Sequence, residues 1–254
     1  MLLPIFLKTQ DPLQLSGAIS VIQEFVNTRQ KKFSNRTSGR RAARFTKMQR
    51  SALDRLQPVY AIPFSHKKID FSSVFGNAEP VTLEIGFGMG EATVEMATAN
   101  PERNFLGIDI HLPGMGKVLA HIETQSLHNL RVICHDAREV LSHMIADHSL
   151  LAIHVYFPDP WPKNRHHKRR LIQKDIVKLF TSKIMSGGYF HAATDWKPYA
   201  DHILSVCEKE PGLKNTAHDF AVRPAWRPLT KFESRALKAE RTCRDILFQK
   251  IDGE

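Results

Sequence analysis

The sequence predicts an α/β protein whose mostly parallel central sheet is covered by helices on both faces. Three observations carry that expectation. Short apolar runs alternate with helix-length segments, a glycine-rich turn follows the first run, and carboxylates recur where successive runs end. A chain of 254 residues can supply one such core with a substantial extension. The division expected is a helical and basic extension over 1–75 and the α/β domain over 76–254. A composition that is 42% hydrophobic and 24% charged is that of an ordinary globular protein, and it excludes a disordered tail, a collagen-like fibre and a disulfide miniprotein.

In the extension, Leu15, Ile19, Ile22 and Val26 fall at helical spacing, and the run Asn35 to Phe45 reads as a basic arm. Val81 to Ile85 is a strand, Gly86 to Gly90 the turn after it, and Glu91 to Ala99 a helix closed by Asn100-Pro101. A second strand spans Asn104 to Ile108, a helix Lys117 to Gln125, and a third strand Leu130 to Cys134. The remaining pattern gives a strand at Leu151 to Phe157, a helix at Arg169 to Ile184, a strand at Tyr189 to Ala193 and a helix at Pro198 to Lys209. Arg244 to Ile251 is suited to a closing strand. The β-α-β order implies right-handed crossovers between parallel strands.

A parallel sheet binds ligands outside the carboxyl ends of its strands. Glu84, Asp109, Asp136, Asp159 and Asp195 lie at or just after five successive strands, which predicts one pocket rimmed by acids. The net charge of +10 is localised: nine basic residues and no acid lie between Arg29 and Arg50, and six and none between Lys163 and Lys174. The rest of the chain therefore sums to −5, the pattern of a mildly acidic body with two polyanion-binding segments. Nucleic acid fits these segments better than a membrane, because neither is amphipathic over several turns. The N-terminal apolar run Leu2 to Leu7 is far shorter than a bilayer span. Three widely spaced cysteines without a C-x-x-C pair point to a reducing compartment, and the histidines form no ligand motif, so no metal is expected.

The turn Gly86-Phe87-Gly88-Met89-Gly90 admits a dinucleotide or S-adenosylmethionine (SAM). A dinucleotide fingerprint wants a glycine where Glu91 stands, and that carboxylate would compete with a pyrophosphate for the helix N-terminus. SAM has no phosphate and presents an ammonium. Glu84 is placed to face it, Asp109 to accept from the ribose hydroxyls and Asp136 to accept from the adenine amino group. In Phe157-Pro158-Asp159-Pro160-Trp161, two prolines stiffen an acceptor between aromatic rings, a setting suited to a planar base with N–H donors. Guanine has such donors at N1 and N2, while its N7 lone pair lies on the opposite edge and needs no deprotonation to accept a methyl group. The following run Lys163-Asn164-Arg165-His166-His167-Lys168-Arg169-Arg170 places positive charge where a helix N-terminus disfavours it, a penalty that RNA phosphates would remove. Thr230 reads as a helix N-cap with Glu233 as its capping-box partner.

These blocks, with Gly107 to Gly114, Ala193-Thr194-Asp195-Trp196 and Thr230-Lys231-Phe232-Glu233, resemble the bacterial tRNA (guanine-N7)-methyltransferase family over about residues 30 to 250. The resemblance implies a Rossmann-like class I SAM-dependent methyltransferase fold and methylation of N7 of guanine-46 in the tRNA variable loop. It assigns Glu84, Gly86, Gly88, Gly90, Asp109, Asp136 and Asp159 to SAM, with Asp159 also catalytic. Lys163, Asp195, Thr230, Lys231, Phe232 and Glu233 go to the substrate, and Arg165, His166, His167, Lys168, Arg169 and Arg170 to RNA. Asp109 stands where the family is expected to carry Glu, a shorter arm to the ribose. A cytoplasmic monomer or homodimer, with tRNA as partner, completes the expectation. The alternatives are a noncatalytic RNA-binding protein, a SAM enzyme acting on another base, for which an Asn-Pro-Pro-aromatic turn would be expected, and a nicotinamide oxidoreductase.

Overall fold

The computed structural model describes residues 45–252. The expected helix through Leu15 to Val26 and the basic residues from Arg29 to Arg44 lie outside the described residues. The chain begins with α1 (Lys47–Tyr60) and α2 (Phe71–Phe75). It then alternates β1 (Val81–Ile85), α3 (Glu91–Ala99), β2 (Asn104–Asp109), α4 (Leu112–Thr124), β3 (Leu130–Cys134), α5 (Ala137–His143) and β4 (Leu150–Tyr156). A 3-10 turn (Asn164–Arg169) leads to α6 (Lys174–Lys183), β5 (Ile184–Thr194), α7 (Lys197–Glu208), β6 (Leu213–Asn215), α8 (Lys231–Lys238) and β7 (Arg244–Lys250).

The seven strands form one sheet in the order β3-β2-β1-β4-β5-β7-β6. Strands β1 to β5 are parallel, and β7 runs antiparallel to both β5 and β6. Every residue of β1 is buried, as both faces of a parallel sheet require. Alternate side chains feed two cores. Leu83, Leu106, Ile153 and Val155 pack with Val140 of α5, Ile176 and Phe180 of α6 and Ile203 of α7. On the other face Phe105, Leu130 and Val132 pack with Val94 of α3, Met115, Leu119 and Ile122 of α4 and Leu56 of α1.

Two local devices set α3 and α4 against the sheet. Gly90 caps α3 at φ +79°, and a Cβ there would lie 2.0 Å from Val118 of α4, so the turn needs a residue without a side chain. A Cβ at Gly116 would lie 2.6 Å from the Gln49 carbonyl, which lets α1 approach α4 closely. A reciprocal capping box between Thr46 and Gln49 starts α1.

The helix expected at Arg169 to Ile184 begins only at Lys174, because the basic run before it makes the 3-10 turn, and Ile184 already belongs to β5. The helix expected at Lys117 begins five residues earlier, with Pro113 in its first turn. Among the described residues, no helix is long and apolar enough to cross a membrane.

Candidate active site

Because β1 to β5 are parallel, the residues that end them meet at one edge of the sheet. Glu84 in β1 sits level with Gly107 of β2 and His154 of β4. Its carboxyl is buried and accepts a hydrogen bond from the Thr93 hydroxyl of α3 at 2.7 Å. Burial pushes its pKa up to about 7 despite that bond, and the Asp109 charge adds to the rise. Asp109, ending β2, accepts from the backbone N–H of Gly88 at 2.7 Å and of His111 at 2.9 Å. Burial raises its pKa, partly offset by those N–H groups. Asp159, three residues beyond β4, is also raised, by desolvation first and then by Asp109. The Asp109 charge thus adds to the rise at both Glu84 and Asp159. Asp136, two residues beyond β3, caps α5 by accepting from the Arg138 N–H at 2.9 Å.

The segment after β4 is held in an unusual backbone. Phe157 and Trp161, flanking Pro158-Asp159-Pro160, both lie in the left-handed region, at φ +50° and +44°. Each such aromatic is a position of stored strain, of order 1–3 kcal/mol, and persists only where surroundings enforce it. Arg170 is one enforcer: its side chain is 3% exposed, its Nε donates to the Pro160 carbonyl at 2.9 Å, and its guanidinium lies over the Tyr199 ring. This corrects the expectation that Arg170 contacts RNA, because its side chain is turned inward to brace the loop. Lys163, Arg165, Lys168 and Arg169 are exposed, and His166 and His167 are half-buried. Arg169 lies over the Trp161 ring at 5.0 Å and His166 meets it edge-on.

The C-terminal part closes over the same edge. Thr230 caps α8, accepting from the Glu233 N–H at 3.1 Å. Lys231 reaches Glu91, the first residue of α3, at 2.7 Å, and Lys117 also pairs with that carboxylate. Although desolvation raises it, these two lysines bring the Glu91 pKa down to about 2. The exposed Phe232 ring stacks on Phe157, with centroids 6.4 Å apart and planes 15° from parallel. Glu233 does not reach back to complete a capping box. Its carboxylate is buried and forked by Arg227, with two N–O distances of 2.7 Å. The expected substrate contact at Glu233 is therefore met by a carboxylate already engaged on both oxygens. Asp195, after β5, pairs with Arg241 at 3.1 Å. That arginine also lines a cavity of about 540 Å³, together with Arg223, Leu229, Glu233, Leu237 and Asp245. Asp245, one of its lining residues, pairs with Ala193 near the carboxyl end of β5.

Thr93, Arg227, His191 and Asp245 were not among the expected site residues. Thr93 offered only a hydroxyl in a helix; His191 and Asp245 meet because β7 pairs with β5, and Arg227 reaches Asp245 from the segment before α8. Among the described residues, no group of three or more His, Cys, Asp or Glu is arranged to hold a metal ion.

The cleft suits a cationic cofactor. A buried Glu84 that accepts from the Thr93 hydroxyl, with the raised carboxyls of Asp109 and Asp159 at the same strand edge, would be relieved by an ammonium and a sulfonium. The positive-φ Gly86 and Gly88 leave the space above the turn open: a Cβ on either would meet nothing within 4 Å.

A family model described as "Putative methyltransferase" matches residues 78–246. A tRNA (guanine-N(7)-)-methyltransferase of Nitrosomonas eutropha is 54% identical over 81% of this chain and 92% of its own. Those of Methylobacillus flagellatus and Francisella tularensis subsp. novicida are each 50% identical over 83% of this chain, and 89% and 93% of theirs. Among solved structures, the aminoglycoside resistance methyltransferase NpmB1 superposes with a TM-score of 0.52 at 15% identity, over 72% of this chain and 92% of its own. A 16S rRNA (adenine(1408)-N(1))-methyltransferase from Catenulisporales acidiphilia, solved with SAM, gives the same TM-score at 14% identity over 72% and 91%.

Proposed function

The chain belongs to the tRNA (guanine-N(7)-)-methyltransferase family, and we propose that its target is guanine-46 of the tRNA variable loop, methylated at N7 with SAM as donor. The structural observation that carries this reading is the group of raised carboxyls Glu84, Asp109 and Asp159, with Asp159 in a Pro-Asp-Pro loop held between two left-handed aromatics.

When bound, SAM supplies an activated methyl group on its sulfonium. Glu84 would receive the ammonium, Asp109 the ribose hydroxyls and Asp136 the adenine amino group, the first two near the carboxyl ends of β1 and β2 and the third two residues beyond β3. Asp159 would accept from guanine N1–H and N2–H₂, which leaves N7 on the edge away from the carboxylate. No general base is required, since N7 is already a free lone pair. The protein's contribution is alignment of two reactants, an effect worth roughly 7–11 kcal/mol in favourable cases. Phe232 and Lys231 cover the mouth, Thr230 and Asp195 line it, and Lys163, Arg165, Lys168 and Arg169 offer charge to the tRNA backbone. A cytoplasmic location follows from that substrate.

Incubating the protein with tritiated SAM and unmodified tRNA, then digesting to nucleosides, tests the reading. The label is expected in 7-methylguanosine, and it should vanish when guanine-46 is replaced by adenosine. Label persisting in the substituted tRNA would overturn the position, and no labelled 7-methylguanosine from either tRNA would overturn the reaction.

A further inference from the structure

A chain of buried polar groups runs beneath the cleft from β4 to α8. Tyr156, the residue immediately before Phe157, places its hydroxyl 3.1 Å from Nδ1 of His191 in β5. Nε2 of His191 is 2.7 Å from Asp245 in β7. Asp245 lies 2.7 and 3.1 Å from two guanidinium nitrogens of Arg227, and Arg227 forks onto both oxygens of Glu233, the third residue of α8. His191, Arg227, Asp245 and Glu233 are all 2% exposed or less.

The proton pattern along this chain follows from its surroundings. Burial holds His191 below the ordinary histidine range against the pull of Asp245, so the ring is neutral with one N–H. That N–H donates to Asp245 from Nε2, which leaves Nδ1 to accept from Tyr156. Two carboxylates face two guanidiniums, because Arg223 adds a second contact to Glu233 at 3.2 Å. Charge is balanced along the chain, and the Arg227–Asp245 hydrogen bond is donated from one terminal guanidinium nitrogen, at 3.1 Å, while Nε at 2.7 Å contributes charge without a hydrogen bond.

Stability alone does not ask for such a chain, since apolar residues of similar volume often hold buried elements together as well or better. Direction is what it adds. The only buried residues of α8 are Glu233 and Ala236, so the helix has almost no apolar anchor and is oriented mainly by the Arg227 fork. The two residues just before Glu233 are Lys231, tied to Glu91, and Phe232, stacked on Phe157.

We propose that Arg227, Asp245 and His191 are positioning residues, which fix α8 against the end of β4 so that Phe232 and Lys231 stand over the Pro158-Asp159-Pro160 loop. They act on methyl transfer through Phe232 without touching the substrate. The proposal rests on the reading of this cleft as a tRNA methyltransferase site.

A double-mutant cycle on the full-length protein separates positioning from bulk stability. Asp245→Asn should lower kcat/KM for tRNA by about tenfold or more while the SAM dissociation constant stays within about twofold. In a Phe232→Ala background the same substitution should do little further, within about twofold, because the element it positions is already gone. Arg227→Lys should behave like Asp245→Asn, since one ammonium cannot reproduce the fork. If Asp245→Asn does not fold, Tyr156→Phe, which removes one hydroxyl and keeps the ring, decides by the same cycle. Multiplicative losses in the double variant, or unchanged kcat/KM in a folded single variant, would overturn the proposal. Wild-type protein making no 7-methylguanosine in the same assay would instead overturn the reading beneath it.

Discussion

A carboxyl whose pKa stands at about 7 against an ordinary 4.5 is a source of tension that a bound cation would relieve. Between those two pH values folded Glu84 keeps a proton that the unfolded chain has released, so folding stability declines as pH rises through that window. Glu84→Gln retains an acceptor for Thr93 and removes the penalty. Its melting temperature without ligand should exceed that of wild type by a few degrees at pH 8, a gap of the order of 1 kcal/mol or more, and match it at pH 4.5. Binding has the opposite demand. An ammonium favours the charged carboxyl, so SAM should expel a proton on binding below pH 7 and lose up to about tenfold in affinity per pH unit below that point. Calorimetry in two buffers of different ionisation enthalpy reads this directly; no proton release from wild type would refute it. Asp159→Ala, by contrast, should leave the SAM dissociation constant within a few-fold and lower kcat/KM by at least about a hundredfold. The five strand-end acids were legible in the sequence because parallel topology alone places them. The His191–Asp245 link was not, since the two are 54 positions apart and become neighbours only through the β5–β7 pairing, and nothing in the sequence marked Arg227 as turned inward onto Glu233. Arg170 misled for a related reason: a basic run reveals charge but not the direction of each side chain.

Among the elements, the strands were legible to within about a residue at most ends, because strands buried on both faces are written as unbroken apolar runs. The short pieces were not. Helix α5 has seven residues with Val140 and Leu141 buried, and β6 has three, too few to show a period. The 3-10 turn between β4 and α6 was read partly as helix, since the basic run leads directly into an amphipathic segment. That turn matters because its final cap residue, Arg170, reaches back to Pro160. Arg170→Met keeps much of the apolar stem and removes the donor. It should lower kcat and the melting temperature together, leaving the salt dependence of tRNA binding unchanged, since the lost guanidinium never faced the solvent. A flattened salt dependence in this variant would return Arg170 to the RNA surface and disprove the bracing role.

At the scale of the whole molecule, the cleft and its surroundings carry opposite charge. In the proposed site, acids would receive the cationic cofactor, and the exposed cations from Lys163 to Arg169 follow Asp159 closely in the chain, so one ligand would be drawn in and the other gripped without either site neutralising the other. The cations repel one another along a turn of six residues whose first turn holds no acid. Such an arrangement is unfavourable in the free protein and is relieved when phosphates arrive, each contact releasing counterions. Replacing Arg165, Lys168 and Arg169 together by Ala should therefore weaken tRNA binding at low salt far more than at high salt. The slope of log affinity against log salt should flatten by about 0.7 for each single-strand phosphate contact removed, or roughly 2 if all three engage. SAM affinity and the melting temperature should be nearly unchanged, because these side chains are exposed and the loop is braced from inside by Arg170. Filter binding across a salt series measures the slope. If it stays constant while affinity drops uniformly, the three side chains act through packing on Trp161, over which Arg169 lies, and the phosphate-gripping surface must be sought elsewhere on the chain.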